Sequence, residues 1–125
     1  MTSDPENDAE DNMAVTAVTL PNGIGLIQLK GSLVSEEEAA ELSGAVAQFV
    51  ARRCERLLID FSETTYLNST EVGAIVAAYT SYAKREWQLK LCTMNKQVHL
   101  IFTITKLLTV FSVYDSREEA MKSFT

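Results

Sequence analysis

The sequence predicts an α/β domain: a mixed, mainly parallel five-stranded sheet flanked by about four helices, in the order β-β-α-β-α-β-α-β-α. Three observations carry that expectation. Short apolar runs alternate with longer runs of helical periodicity, which implies parallel strands joined by right-handed crossovers. Two short runs stand side by side only at the start, separated by the turn-forming Pro21-Asn22-Gly23. The 125 residues are 46% hydrophobic and 22% charged, enough for one domain with its own core.

The elements follow in order. Residues 13–20, rich in Val and Thr, suit a strand, and Ile24–Lys30 a second that pairs with it as an antiparallel hairpin. Gly31 is expected to end that strand, and Ser32 or Ser35 to cap a helix. This helix has Glu36, Glu37 and Glu38 in its first turn and Arg52 and Arg53 in its last, complementing the helix dipole. Its apolar face is Leu42, Val46, Phe49 and Val50. Arg56–Phe61 is a short apolar run of the buried-strand kind. A second helix begins near Ser69, with Val72, Ile75, Val76, Tyr79 and Ala83 on its core face. Gln88–Thr93 alternates as a fourth strand. Asn95–Leu107 is a third helix, capped by Asn95, and Val110–Tyr114 a fifth strand. Asp115–Phe124 is a last helix, with Asp115 or Ser116 as cap and Glu118 or Glu119 as capping-box partner.

Charge divides the chain. The net charge is −6, but residues 1–12 hold Asp4, Glu6, Asp8, Glu10 and Asp11 and no base. Without them twelve acids face eleven bases, so the body, 13–125, is close to neutral. The first twelve residues lack an apolar run and are expected to be a disordered acidic tail.

Several function classes are disfavoured. No basic stripe suggests nucleic acid. No window approaches the ~20 apolar residues of a membrane span, and the acidic start is unlike a secretory leader. Cys54 and Cys92 are too few for a disulfide framework or a zinc site, which fits reduced thiols in the cytoplasm. His99 is the only histidine and lies among Val98, Leu100 and Ile101, which reads as structural. No nucleophile–base–orienter set can be assembled, and no phosphate-binding glycine loop is present. The expectation is a protein with no catalytic residues, metal or cofactor. Asn68-Ser69-Thr70 matches a glycosylation sequon only formally, since nothing indicates secretion.

The chemistry concentrates between the third strand and the second helix, where Ser62, Thr64, Thr65, Tyr66, Ser69 and Thr70 crowd together. Asn68 is a favoured N-cap, which makes Ser69 N1, Thr70 N2 and Glu71 N3, a relative of the capping box. A serine on the first helical turn is exposed and surrounded by free N–H groups, so a phosphate there is tolerated by the fold. It adds about −1.5 to −2 charge to the surface.

Leu57–Lys84, from the apolar strand through Asp60 to "NSTEVG" at Asn68–Gly73, resembles the signature of the STAS domain of anti-sigma factor antagonists. In that family an apolar strand ends in Asp, and D-S-[ST]-G-x-G opens a helix. The resemblance extends through "VFSVYDSREEA" and covers roughly Val15 to Phe124. It implies that Ser69 is phosphorylated by a partner serine kinase, itself the anti-sigma factor. The unmodified antagonist binds that kinase; the phosphorylated form lets go, and a serine phosphatase resets it. Asn68 stands where the motif has Asp, Thr70 at its second hydroxyl position, Glu71 at its first glycine and Gly73 at its second. Arg85–Gln88 stands where the family often has a glycine turn. The contact surface is placed on Thr64, Thr65, Asn68, Ser69, Thr70 and Glu71, with Ser32 and Ser35 more distant. The alternative is a STAS module that scaffolds a signalling assembly or transporter complex without a phosphate cycle.

Overall fold

The computed structural model describes residues 13–124; the expected acidic tail, 1–12, lies outside the described residues. The strands are β1 (Val15–Thr19), β2 (Gly25–Leu33), β3 (Arg56–Leu67), β4 (Gln88–Cys92) and β5 (Ser112–Tyr114). The helices are α1 (Glu36–Ala51), α2 (Ser69–Ala83), α3 (Lys96–Ile104) and α4 (Arg117–Ser123), with one 3₁₀ turn at Leu107–Thr109. The sheet runs β1-β2-β3-β4-β5, and only the β1–β2 pair is antiparallel.

Side-chain alternation explains the two-sided burial. Ile27 and Leu29 of β2 and Leu57, Ile59 and Phe61 of β3 face one side, where α1, α2 and α3 supply Leu42, Val46, Phe49, Val72, Ile75, Tyr82, Val98 and Phe102. Leu26, Leu58 and Cys92 face the other, under Ala120 and Phe124 at the C-terminal end of the chain. Strands covered on both faces read as continuous apolar runs.

The hairpin turns where expected, with Gly23 at φ +86° and Leu20 N–H donating to Ile24 O at 2.9 Å. Gly31 does not end β2. It sits at φ +82° beside a register shift, a bulge that bends the strand while pairing continues to Leu33. β3 is likewise longer than expected. Ser62, Glu63, Thr64, Thr65, Tyr66 and Leu67 extend it past Phe61, because Thr and Tyr suit a pleated strand as well as a loop.

Helix ends differ in detail. Arg52 is the C-cap of α1 and Arg53 lies beyond it at φ +57°. In α2 the buried positions are Glu71, Val72, Ile75, Ala78 and Tyr82, while Val76 and Tyr79 are half-buried and Ala83 is exposed. The helix is apolar nearly all round, so its periodicity specifies the core face weakly. α3 stops at Ile104, where Lys106 turns left-handed at φ +61°. β5 shortens to three residues, and Ser116 caps α4. In the α2–β4 turn, Glu86 holds the left-handed conformation at φ +61° where the resemblance has glycine.

Candidate functional site

The parallel strands bring the starts of α1, α2 and α3 to one end of the sheet, the carboxyl end of β2, β3 and β4. Three asparagine and serine side chains shape this end. Ser35 and Glu38 form a complete capping box on α1: Glu38 Oε1 accepts from Val34 N at 2.9 Å and Ser35 N at 3.1 Å, and Ser35 Oγ accepts from Glu38 N. Asn95 caps α3 through Val98 N at 2.8 Å and donates its amide to Thr64 O at 2.8 Å, tying α3 to β3.

Asn68 does the same for α2. Its Oδ1 accepts from Glu71 N at 3.0 Å, its Nδ2 donates to Val34 O at 2.8 Å, and its own N–H donates to Leu33 O. The start of α2 is thereby fastened to the loop that leads into α1. The donation to Val34 requires an amide; an aspartate would set a carboxylate against that carbonyl. The departure from the motif's Asp therefore has a local structural reason.

Ser69 and Thr70 follow on the first turn, both exposed. Neither side chain has a hydrogen-bond partner among the described residues. Their backbone N–H groups are the unsatisfied donors of the helix start, and α2's first helical bond runs from Val72 N to Asn68 O.

Two of the expected contact residues are not on the surface. Thr64 is 2% exposed, and its hydroxyl donates to Leu29 O at 2.6 Å. Leu29 falls inside the register shift between Gln28 and Lys30, where the ladder to β3 lapses, so Thr64 supplies the bond that the bulge removes. Glu71 is fully buried, and neither carboxylate oxygen has a partner. It does not complete a capping box, because the Asn68 N–H is taken by Leu33 O. Burial, reinforced by Glu38 and Glu41 of α1, pushes its carboxyl above the usual range.

The exposed remainder is Thr65, Ser69 and Thr70, with Asn68 half-buried. Val34, 53% exposed, and Tyr66, 44% exposed, lie at the same end and were not among the residues expected there. The available signal was position: Val34 directly precedes the cap Ser35, and Tyr66 lies two residues before the cap Asn68, near the end of β3.

Asp60 lies at the far side of the sheet and does not end β3. Its Oδ1 accepts from Ser62 N at 2.9 Å and its Oδ2 from Arg117 Nη2 at 2.8 Å. Burial alone would raise its acidity constant's midpoint; Arg117 and Ser62 outweigh it and hold the carboxyl below the usual range. His99 is exposed on α3, not packed in the core. Cys92 is buried, which pushes its thiol up to about 11 and keeps it unreactive. Among the described residues no His, Cys, Asp and Glu group is arranged to hold a metal, and no helix is long and apolar enough to cross a membrane.

Comparison with known proteins agrees with this architecture. The STAS domain profile matches residues 16–120. An anti-sigma F factor antagonist of Paenibacillus polymyxa is 21% identical over 102 residues, covering 79% of this chain and 85% of its own. The crystal structure of an anti-sigma factor antagonist from Mycobacterium paratuberculosis superposes with a TM-score of 0.77 at 20% identity, covering 98% of this chain and 97% of that one. The Bacillus cell fate determinant SpoIIAA in its phosphorylated form superposes with a TM-score of 0.71 at 14% identity, covering 87% and 97%. The family profile spans the sheet, α1 to α3 and most of α4, and the chain belongs to the STAS domain family.

Proposed function

We propose that this protein is an anti-sigma factor antagonist that binds an anti-sigma serine kinase and is released when the kinase phosphorylates Ser69. The observation that carries the reading is the placement of Ser69: an exposed, unbonded hydroxyl on the first turn of α2, beside free backbone N–H groups. It also rests on a relative named as an anti-sigma F factor antagonist and a structural neighbour described in a phosphorylated form.

In the transfer, Ser69 Oγ attacks the γ-phosphorus of ATP. The new O–P bond forms as the bond to ADP breaks, and the hydroxyl proton passes to a base of the kinase. Phosphate at this position gains from the helix terminus, so the domain need not unfold. Its charge of about −1.5 to −2 changes the contact surface and weakens the complex. A serine phosphatase reverses the modification by hydrolysis. The contact surface is Thr65, Asn68, Ser69 and Thr70, joined by Val34 and Tyr66. Thr64 and Glu71 support it from beneath. The setting is the cytoplasm, and the protein itself is not an enzyme.

Intact mass spectrometry of the protein purified from its own cells tests this reading. A phosphorylated fraction confined to the Ser69 peptide is expected. Protein that is never modified, even when its kinase is present with ATP, would favour a scaffold without a phosphate cycle.

A further inference from the structure

Glu71 is a misfit that the proposed switch does not use. It is fully buried, neither of its oxygens finds a hydrogen bond, and it stands where the motif's first glycine would place no side chain. It lies two residues from Ser69, on the side of α2 that packs against α1. The groups facing it are all acidic: Glu38 and Glu41 of α1. The charged groups on the neighbouring strands point elsewhere. Asp60 is engaged by Arg117 and Lys90 by Ser123 on the opposite face of the sheet, and Glu63 pairs with Lys30. No cation in the described residues is placed to neutralise Glu71, and a buried unpaired carboxylate is costly enough that such a group takes up a proton instead.

We infer that Glu71 is a proton-linked element coupled to the state of Ser69: its carboxyl carries a proton in the folded domain, and phosphate on Ser69 tightens its hold on that proton. The second half rests on the proposed modification of Ser69. The physical basis is a through-space one. Residues i and i+2 do not face each other on a helix, so no direct bond forms between phosphate and carboxyl. The two groups are nevertheless within one helical turn, and because Glu71 is buried their repulsion is screened less than that between two exposed charges. A doubly charged phosphate therefore disfavours ionisation of Glu71. By linkage the phosphorylated domain holds its proton to higher pH, and a protonated Glu71 makes phosphate at Ser69 easier to carry.

Carboxyl-carbon NMR on the glutamate-labelled full chain tests this, with Glu71 assigned through its backbone. It is titrated once unmodified and once with phosphoserine incorporated at position 69 by translation or ligation. The unmodified chain is expected to show Glu71 titrating above the ordinary 4.5. Phosphoserine is expected to move that midpoint upward again, by at least ~0.3 pH units. A Glu71 midpoint at the ordinary 4.5 overturns the inference, as does an unchanged midpoint in the phosphorylated chain. Because the phosphate is installed without the kinase, these titrations stand or fall separately from whether cells phosphorylate Ser69, which mass spectrometry decides.

Discussion

Asn68 Nδ2 donates to Val34 O at 2.8 Å, joining the start of α2 to the loop that enters α1. The same side chain caps α2 through Glu71 N. Asn68→Asp keeps the cap and loses the donor, and should cost about 0.5–1.5 kcal/mol. Asn68→Ala loses both and should cost more, about 1–2 kcal/mol. Chemical denaturation ranks them. If the aspartate variant were as stable as the parent, the tie to Val34 would contribute nothing.

Thr64 and Thr65 are neighbours with opposite roles. Thr64→Val leaves Leu29 O buried and unpaired inside the bulge, a loss of about 1–3 kcal/mol. Thr65→Val, at an exposed position, should stay within ~0.5 kcal/mol of the parent. Equal denaturation midpoints for the two variants would show that Thr64 does not replace a ladder bond.

Gly25 begins β2 where the Phe49 ring comes close: a Cβ there would lie 2.9 Å from the ring and 3.1 Å from Cys54 Sγ. Gly25→Ala must displace a core aromatic or the strand and should cost about 1–3 kcal/mol. Thermal unfolding measures it. An alanine variant that melted with the parent would mean that the α1 end is loosely packed.

Asp60 and Glu71 give stability opposite pH dependences. Asp60 titrates below its ordinary 3.8, so its contribution is present above that value and is lost as pH falls through the folded value. Asp60→Asn should therefore cost about 1–3 kcal/mol at neutral pH, kept modest because Arg117 is 43% exposed, and should flatten the acid limb. Glu71 titrates above its ordinary 4.5, so its favourable contribution is complete below that value and is lost as pH rises through the folded value. Glu71→Gln should flatten the fall in stability that begins above 4.5 and raise stability at neutral pH. Denaturation midpoints across pH read both signs; a neutral limb unchanged by Glu71→Gln would contradict the burial of an unpaired carboxyl.

Most of this fold was legible because its signals are local. The alternation of apolar runs located the strands, and Asn68, Asn95 and the choice of Ser32 or Ser35 announced the helix starts through cap chemistry. What was hidden depends on partners distant in sequence. Thr64 looks like a loop hydroxyl until β2 bulges beside it and presents Leu29 O, 35 residues away. Glu71 occupies a good N3 capping position, and only the packing of α1 against α2 puts it in the interior. Val34 follows β2 and Tyr66 lies in β3, and only the pairing of β2 with β3 gathers them at the same end.

The central claim is that Ser69, and no neighbouring hydroxyl, carries the switch. Its most direct test is phosphate incorporation by the organism's anti-sigma serine kinase, with ATP, into the parent chain, Ser69→Ala and Thr70→Ala. Both substitutions lie at exposed positions and should change stability by no more than ~0.5 kcal/mol. The account predicts that labelling disappears in Ser69→Ala, which stays bound to the kinase, and persists in Thr70→Ala, which is released. Labelling that survives in Ser69→Ala would contradict it.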